Sequence, residues 1–132
     1  MKTPIITSFV LVLAIVSNVS AKRIPPKEVP EITHEGITYR VLHWKHQNQL
    51  QNGGYVEAVR EKGSKKEWET LAYLVEYVEK LERDVQDCFI TSMKLDKKNE
   101  RLVVVNENKQ TYYIDLKTGR AHHVNRAVLP KK

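Results

Sequence analysis

The sequence of 132 residues predicts an all-β protein, folded as a single-domain antiparallel β-meander. In several short stretches apolar and polar residues alternate, a period that is typical of strands with one buried face. Short polar segments that contain Gly, Asn or Asp separate these stretches, and these residues favour turns. A chain of this length is expected to form one domain.

The clearest part of the meander is residues 89–124. We predict strands at residues 89–95, 102–105, 111–115 and 121–124, joined by turns at residues 96–100, 106–109 and 117–119. The second of these strands is apolar throughout, so we expect it to be covered on both faces. Asparagine tolerates the left-handed backbone angles of a turn, which supports the turn at residues 106–109, and Gly119 is suited to positive φ.

The first half of the domain is expected to begin at Ile32 and to hold two strands before an ambiguous segment. The alternation predicts strands at residues 37–43 and 55–60, a polar loop at residues 45–52 and a turn at residues 61–66. Gly53 and Gly54, which precede the second strand, are typical of a turn or a β-bulge.

The strand and turn order of residues 89–120, ending in Asp-Leu-Lys-Thr-Gly, is similar to one blade of a quinoprotein-type β-propeller. Residues 53–58 and 66–68 resemble part of another blade. The spacing from Trp68 to residues 84–87 resembles a family of short exported bacterial proteins without an assigned activity. The resemblance covers about residues 36–119 and implies a propeller-blade-like fold and export, but no active site. Because propellers close with about four to eight blades and we expect fewer than two here, a closed propeller would require several chains.

Residues 67–83 fit both a helix and a strand. Their apolar residues share one face at helical spacing, namely Leu71, Leu74, Val75, Val78 and Leu81, and Ser64 and Glu67 have the spacing of a capping box. The resemblance favours a strand, since Trp68, Tyr73 and Tyr77 fall where that family places strand aromatics. We predict a strand at residues 68–77 and a turn at residues 84–87. The alternative is an α+β fold with a helix at residues 65–83.

The beginning of the chain is typical of a secretory signal peptide, which would form an apolar helix. Lys2 precedes an apolar stretch, and Val19, Ser20 and Ala21 form a small-residue cleavage site. We divide the chain into a signal peptide at 1–21, a Pro-rich extended leader at 22–31, the β-meander domain at 32–124 and a flexible tail at 125–132. The protein is therefore expected to be periplasmic or secreted, and to contact the membrane only through the uncleaved signal.

The chain is basic, with a net charge of +6 at pH 7, and has one cysteine, Cys88. A basic surface favours anionic partners, so we expect an unknown protein or an anionic envelope component as partner. Nucleic acid is not expected, because the sequence has no motif of a nucleic-acid-binding module. Cys88 has no internal disulfide partner. We interpret it as a buried small residue beside Phe89, with a reactive thiol or an intermolecular disulfide as the alternative.

The sequence holds no recognisable catalytic constellation. The histidines are His34, His43, His46, His122 and His123, whereas a zinc site needs three or four converging ligands. His122 and His123 are adjacent in a predicted strand, so we expect them to point to opposite faces. Asp84 and Asp87 are interpreted as turn residues rather than as an acid–base pair. We therefore expect no catalytic residues, no metal ligands and no cofactor.

We expect a non-enzymatic exported binding or accessory protein, with a small exported hydrolase or metal-dependent enzyme and an inhibitor of an exported enzyme as alternatives. Open sheet edges accept further strands, so a partner or a second copy is expected to bind there. The predicted edges are residues 37–43 and 121–124. We favour the second, with Ala121, His122, His123 and Val124 as contacts, because histidine carries little charge at neutral pH and gains charge in acid.

Overall fold

The computed structural model of the protein describes residues 24–44, 50–60 and 64–124. Within these ranges the chain forms eight strands and one short helix: β1 (Ile32–His34), β2 (Ile37–Leu42), β3 (Tyr55–Arg60), β4 (Lys65–Leu71), α1 (Arg83–Gln86), β5 (Ile90–Asp96), β6 (Arg101–Asn106), β7 (Thr111–Asp115) and β8 (Ala121–His123). The strands form two antiparallel four-stranded sheets, β1-β2-β3-β4 and β5-β6-β7-β8. The predicted mainly-β meander is confirmed. The predicted signal peptide at 1–21 and the tail at 125–132 lie outside the described residues.

The two sheets pack through their inner faces into one hydrophobic core. The first sheet contributes side chains such as Tyr39, Val56 and Ala58, and the second contributes Leu102, Val104, Tyr112 and Ile114. Full burial of a Val, Leu or Ile side chain contributes about 1.5–3 kcal/mol.

The described residues hold two four-stranded meanders, so the expectation that the chain has fewer than two such units is wrong.

The second sheet follows the predicted strands closely, with two corrections. In β6 the buried Leu102 and Val104 alternate with half-buried Val103 and Val105, so this strand is not covered on both faces as predicted. In the turn between β6 and β7 the left-handed residue is Lys109, with φ of +59°, and not an asparagine. Asn106 instead accepts hydrogen bonds through Oδ1 from the backbone N–H groups of residues 108 and 110. Gly119 has the predicted positive φ, at +71°.

The first sheet differs from the prediction at its edge. Strand β1 was not predicted, because it has only three residues and its tight turn to β2 uses a non-glycine residue at positive φ, Glu35. Since β2 lies between β1 and β3, the predicted strand at residues 37–43 is not a sheet edge. The described part of the leader is irregular, and its Val29 packs against the core.

The ambiguous segment is a strand only in its first part. Strand β4 ends at Leu71, so the predicted strand at residues 68–77 is wrong beyond that point, and the alternative helix at residues 65–83 is absent from the described chain. Residues 72–78 follow an irregular path, and residues 83–86 form one helical turn that overlaps the turn predicted at 84–87. Leu74, Val78 and Leu81, which belong to the predicted apolar helical stripe, are 73%, 55% and 57% exposed, respectively.

A carboxylate closes the turn between β7 and β8, and it makes stability sensitive to acid. Asp115 Oδ1 accepts hydrogen bonds from the N–H groups of Lys117 and Thr118 at 2.8 and 2.9 Å. The Thr118 N–H, followed by that of Lys117, lowers the pKa of Asp115 below its ordinary value of 3.8.

Because this pKa is lower in the folded than in the unfolded chain, the contribution of Asp115 is complete above pH 3.8 and is lost as the pH falls further. We expect Asp115→Asn, which keeps the acceptor oxygen but cannot ionise, to lose less stability than the wild type between about pH 5 and pH 3. Urea unfolding midpoints at the two pH values measure this. An identical pH dependence of the two proteins would contradict the assignment.

Candidate functional site

Strand β8 is an edge strand of the second sheet within the described ranges. Among the described residues it pairs with β7 alone, through Tyr112↔His123, Tyr113↔His122 and Ile114↔Ala121. The Asp115 N–H donates to the carbonyl of Arg120 at 2.9 Å, so these two residues form a hydrogen-bonded pair. In an antiparallel ladder hydrogen-bonded and non-hydrogen-bonded pairs alternate. Tyr113 and His122, two positions further along, therefore form the next hydrogen-bonded pair, and the pairs that contain Ala121 and His123 are not hydrogen-bonded. The backbone N–H and C=O groups of Ala121 and His123 therefore face away from the sheet.

Beside this edge lies a cleft of about 570 Å³, which we call the edge cleft. Its lining residues come from the irregular segment after β4 and from the second sheet: Ala72, Tyr73, Leu74, Glu76, Gln110, Tyr112, Ala121, His122 and His123. Three of the four predicted contact residues thus line one cleft. The fourth, Val124, is half-buried and directly follows β8.

The edge cleft has an aromatic floor and one apolar, exposed wall residue. The rings of Tyr73 and Tyr112 lie 5.1 Å apart between centroids, and both residues are buried. Leu74 is 73% exposed, so a partner that covers it would be stabilised by the burial of apolar surface. Glu76 is exposed on the same segment and adds a negative charge. The cleft therefore combines apolar contact area with a site for a cationic group.

The two histidines of β8 lie against different tyrosines. His123 meets Tyr112 of the inner face edge-on at 4.9 Å, and His122 meets Tyr113 at 5.5 Å. Tyr112 is buried and Tyr113 is half-buried, so the prediction that the histidines point to opposite faces is confirmed. His123 Nε2 is buried and has no hydrogen-bond partner among the described residues. A buried polar atom of this kind costs about 1–3 kcal/mol unless it is satisfied.

A hydrogen-bond network fixes the segment that forms the outer wall. The Gln51 side chain donates from Nε2 to the carbonyl of Tyr73 at 3.0 Å and accepts the N–H of Val75 through Oε1 at 2.7 Å. Asp87 accepts hydrogen bonds from the Tyr77 hydroxyl at 2.6 Å and from Asn52 Nδ2 at 3.1 Å. Burial and the Asp87 bond raise the pKa of Tyr77, so its hydroxyl remains a donor at neutral pH. The wall is therefore arranged before any partner binds, which lowers the entropic cost of binding.

The other chemistry-bearing residues considered from the sequence are spread over the molecule. His43 is buried, and its Nε2 donates to the carbonyl of Lys27 at 2.8 Å, whereas His34 lies near the opposite end of the first sheet and His46 lies outside the described residues. Asp84 is exposed on α1, and Asp87 is used in the network above. In the three described stretches no three His, Cys, Asp or Glu side chains are grouped to hold a metal ion.

Cys88 is buried, with 7% of its surface exposed, which confirms its interpretation as a small buried residue. None of the helices in the described ranges has the length and apolar character that crossing a membrane requires. No family model matches the chain, and comparison with curated proteins found no match.

Sequence reasoning found the edge but missed its surroundings. Leu74 and Tyr73 belong to a segment predicted as strand, and Gln110 lies between the predicted turn at 106–109 and the predicted strand at 111–115. The positions of Tyr73 and Leu74 beside β8 depend on the bonds from Gln51, which is more than twenty residues away in sequence. The alternation of Tyr112 and Tyr113 is the one local signal, because it places Tyr112 and Ile114 on one face of the strand and Tyr113 on the other.

Proposed function

We propose that this protein is an exported, non-enzymatic binding protein that takes up an extended segment of a partner protein along β8. The observation that carries the proposal is the juxtaposition of the open backbone groups of Ala121 and His123 with the edge cleft. Addition of a strand to an exposed sheet edge is a common mode of peptide recognition, in which the backbone gives affinity and the neighbouring pockets give specificity.

The lining of the edge cleft defines the chemistry of the segment. Leu74 and Tyr112 favour an apolar side chain, and the carboxylate of Glu76 favours a lysine or arginine on the same segment. A segment without proline is required where its N–H groups meet the carbonyls of β8. The preferred ligand is therefore an extended, basic and apolar peptide.

The other sheet edges are less suited to strand addition. Strand β4 has the sequence Lys-Lys-Glu-Trp-Glu-Thr-Leu, whose exposed charges protect an edge. Strand β5 has a register irregularity between Ile90 and Ser92, and such irregularities disturb pairing with a further strand. Strand β1 is as short as β8 and ends at the charged Glu35 turn. Among the described edges, β8 alone adjoins the edge cleft.

Several earlier expectations stay predictions alongside this proposal. They are export to the periplasm or beyond, the resemblance to blade-bearing exported proteins, an anionic envelope component as an alternative partner, and self-association through the sheet edges. Self-association would use the same β8 groups, so it is a special case in which a second copy supplies the strand.

The proposal is tested with peptides selected from a displayed library of random twelve-residue sequences on the purified protein. We expect Ala121→Pro, which removes an outward-facing N–H, to weaken binding of the selected peptides about tenfold, the effect of losing roughly 1.4 kcal/mol. Ala121→Val changes the same side chain but keeps the N–H, and should change affinity by less than about threefold, within the usual range of surface substitutions. Fluorescence anisotropy with labelled peptides gives the dissociation constants.

A third variant keeps the experiment informative if the proline variant does not fold. Glu76→Gln leaves the backbone intact and removes the charge that a basic peptide would meet, so it should weaken binding a few-fold at low salt. Peptides that bind all three variants as they bind the wild type would show that the β8 edge is not the binding site.

A further inference from the structure

A second cleft, of about 550 Å³, lies at the other end of the molecule, where the β1–β2, β5–β6 and β7–β8 turns come together. We call it the inter-sheet cleft, because residues of both sheets line it. Strands β2 and β4 contribute Tyr39 and Trp68, and the turns of the second sheet contribute Lys97 and Glu100. None of its lining residues is shared with the edge cleft.

Two aromatic rings form the floor of the inter-sheet cleft. Tyr39 and Trp68 lie 5.9 Å apart between ring centroids, tilted by 39°. The Trp68 indole is held in place because its Nε1 donates to the carbonyl of Leu116 at 2.9 Å. Gly119 packs so closely on the indole that an added Cβ would come within 2.6 Å of it. The ring is thus positioned from one side by the second sheet.

The hydroxyl of Tyr39 makes no hydrogen bond within residues 24–44, 50–60 and 64–124. Burial, and then the charge of Glu35, raise the pKa of Tyr39, so the hydroxyl keeps its proton at neutral pH. A ligand in the cleft can therefore accept a hydrogen bond there without displacing a protein group.

The rim of the cleft is rich in charges but balanced. It carries three cationic and three anionic side chains, namely Arg60, Lys97, Lys117, Glu35, Glu67 and Glu100. Arg60 pairs with Glu67, and Lys117 Nζ lies 3.7 Å from Glu100 Oε2. An anionic ligand would be repelled by the three carboxylates, and a cationic ligand would be repelled by the three cationic side chains. The rim therefore disfavours strongly charged ligands of either sign. Paired charges remain good hydrogen-bonding groups for neutral hydroxyls.

We propose that the inter-sheet cleft binds a neutral saccharide of one or two rings. A sugar ring presents a face of C–H groups that packs on aromatic rings, and a belt of hydroxyls that donate and accept hydrogen bonds. The half-buried Trp68 indole, which rests on the buried Tyr39 ring, matches the first feature, and the rim carboxylates and cations match the second. The volume of about 550 Å³ lies within the range of small-ligand pockets. This site does not depend on strand addition at β8.

The test uses Trp68 as a fluorescent reporter. The chain has two tryptophans, so Trp44→Phe leaves Trp68 alone, and Trp44 packs on Phe89 away from this cleft. The protein is titrated with maltose, cellobiose and N,N′-diacetylchitobiose, and with sorbitol as a control for unspecific polyol effects. We expect a saturable change with at least one disaccharide and a dissociation constant on the order of 1 mM, typical of weak small-ligand binding.

Two variants in the same background locate the binding. Tyr39→Phe removes only the hydroxyl and should weaken binding about fivefold, and Lys97→Ala removes an exposed rim donor and should weaken it about threefold. Tyr113→Phe, on the outer face of the second sheet, should leave the affinity unchanged. The proposal is overturned if none of the three disaccharides gives saturation up to about 100 mM, a hundred times the expected constant. It is equally overturned if both cleft variants bind as the reporter protein does, or if inorganic phosphate displaces the sugar at similar concentration.

Discussion

Adding one methyl group at Gly53 is expected to destabilise the protein by about 3 kcal/mol. Gly53 has φ of +77°, and an added Cβ would lie 2.6 Å from the carbonyl oxygen of Cys88 and 2.9 Å from Cδ1 of Phe89. The first of these atoms belongs to the backbone and cannot rotate away. Gly53→Ala therefore combines the cost of a left-handed backbone with displacement of the chain that enters β5. The urea midpoint and slope measure the loss.

Gly36→Ala is the matched control for this substitution. Its φ is +76°, almost the same as that of Gly53, but no atom lies within 4 Å of the added Cβ. Only the backbone cost of about 1–2 kcal/mol is expected. The difference between the two variants isolates the close contact between Gly53 and residues 88–89. Equal losses of stability would contradict this packing.

Leu102→Ala in β6 is expected to lower the free energy of unfolding by about 3 kcal/mol. Leu102 is fully buried, pairs with Leu95 and Ile114 in the neighbouring strands, and lies in the core that both sheets share. Its truncation leaves a cavity that a close-packed core cannot fill without strain. Chemical denaturation of the purified variant measures the effect.

Val103→Ala, at the next position, tests the burial of the other face of β6. Val103 is half-buried on the outer face, so its truncation should cost about 1 kcal/mol or less. If β6 were covered on both faces, the two substitutions would have costs of similar size per methyl group removed. That result would contradict the one-sided burial described above.

The second sheet could be predicted because its signals are local. Alternation fixes which residues of β7 face inward, and in β5 it holds from Met93 onward, after the register irregularity between Ile90 and Ser92. Each turn contains its own Gly, Asn or Asp. The burial of β6 could not be predicted in the same way, because a run of Leu and Val has no polar residue to mark its exposed face. The left-handed Lys109 had no local signal either, since lysine does not favour positive φ.

The segment after β4 shows where local patterns fail. Its helical stripe of Leu74, Val78 and Leu81 is exposed, and the backbone of this segment is instead satisfied by one side chain distant in the chain, Gln51, and one nearby, Gln86. Gln51 bonds to residues 73 and 75, and Gln86 donates from Nε2 to the carbonyls of Val78, Leu81 and Glu82. With these bonds in place the segment does not need a helix to pair its polar groups. The edge cleft depends on this arrangement, so its outer wall could not be predicted from the sequence.

Amide hydrogen exchange at β8 is the most direct test of binding along this edge. In the complex with a selected peptide, the amides of Ala121 and His123 should exchange at least about tenfold more slowly than in the unbound protein, as amides do when they enter a ladder. The amide of His122, which already faces Tyr113, should change less. Unchanged exchange at Ala121 and His123 in the saturated complex, with protection at another strand instead, would contradict strand addition at β8.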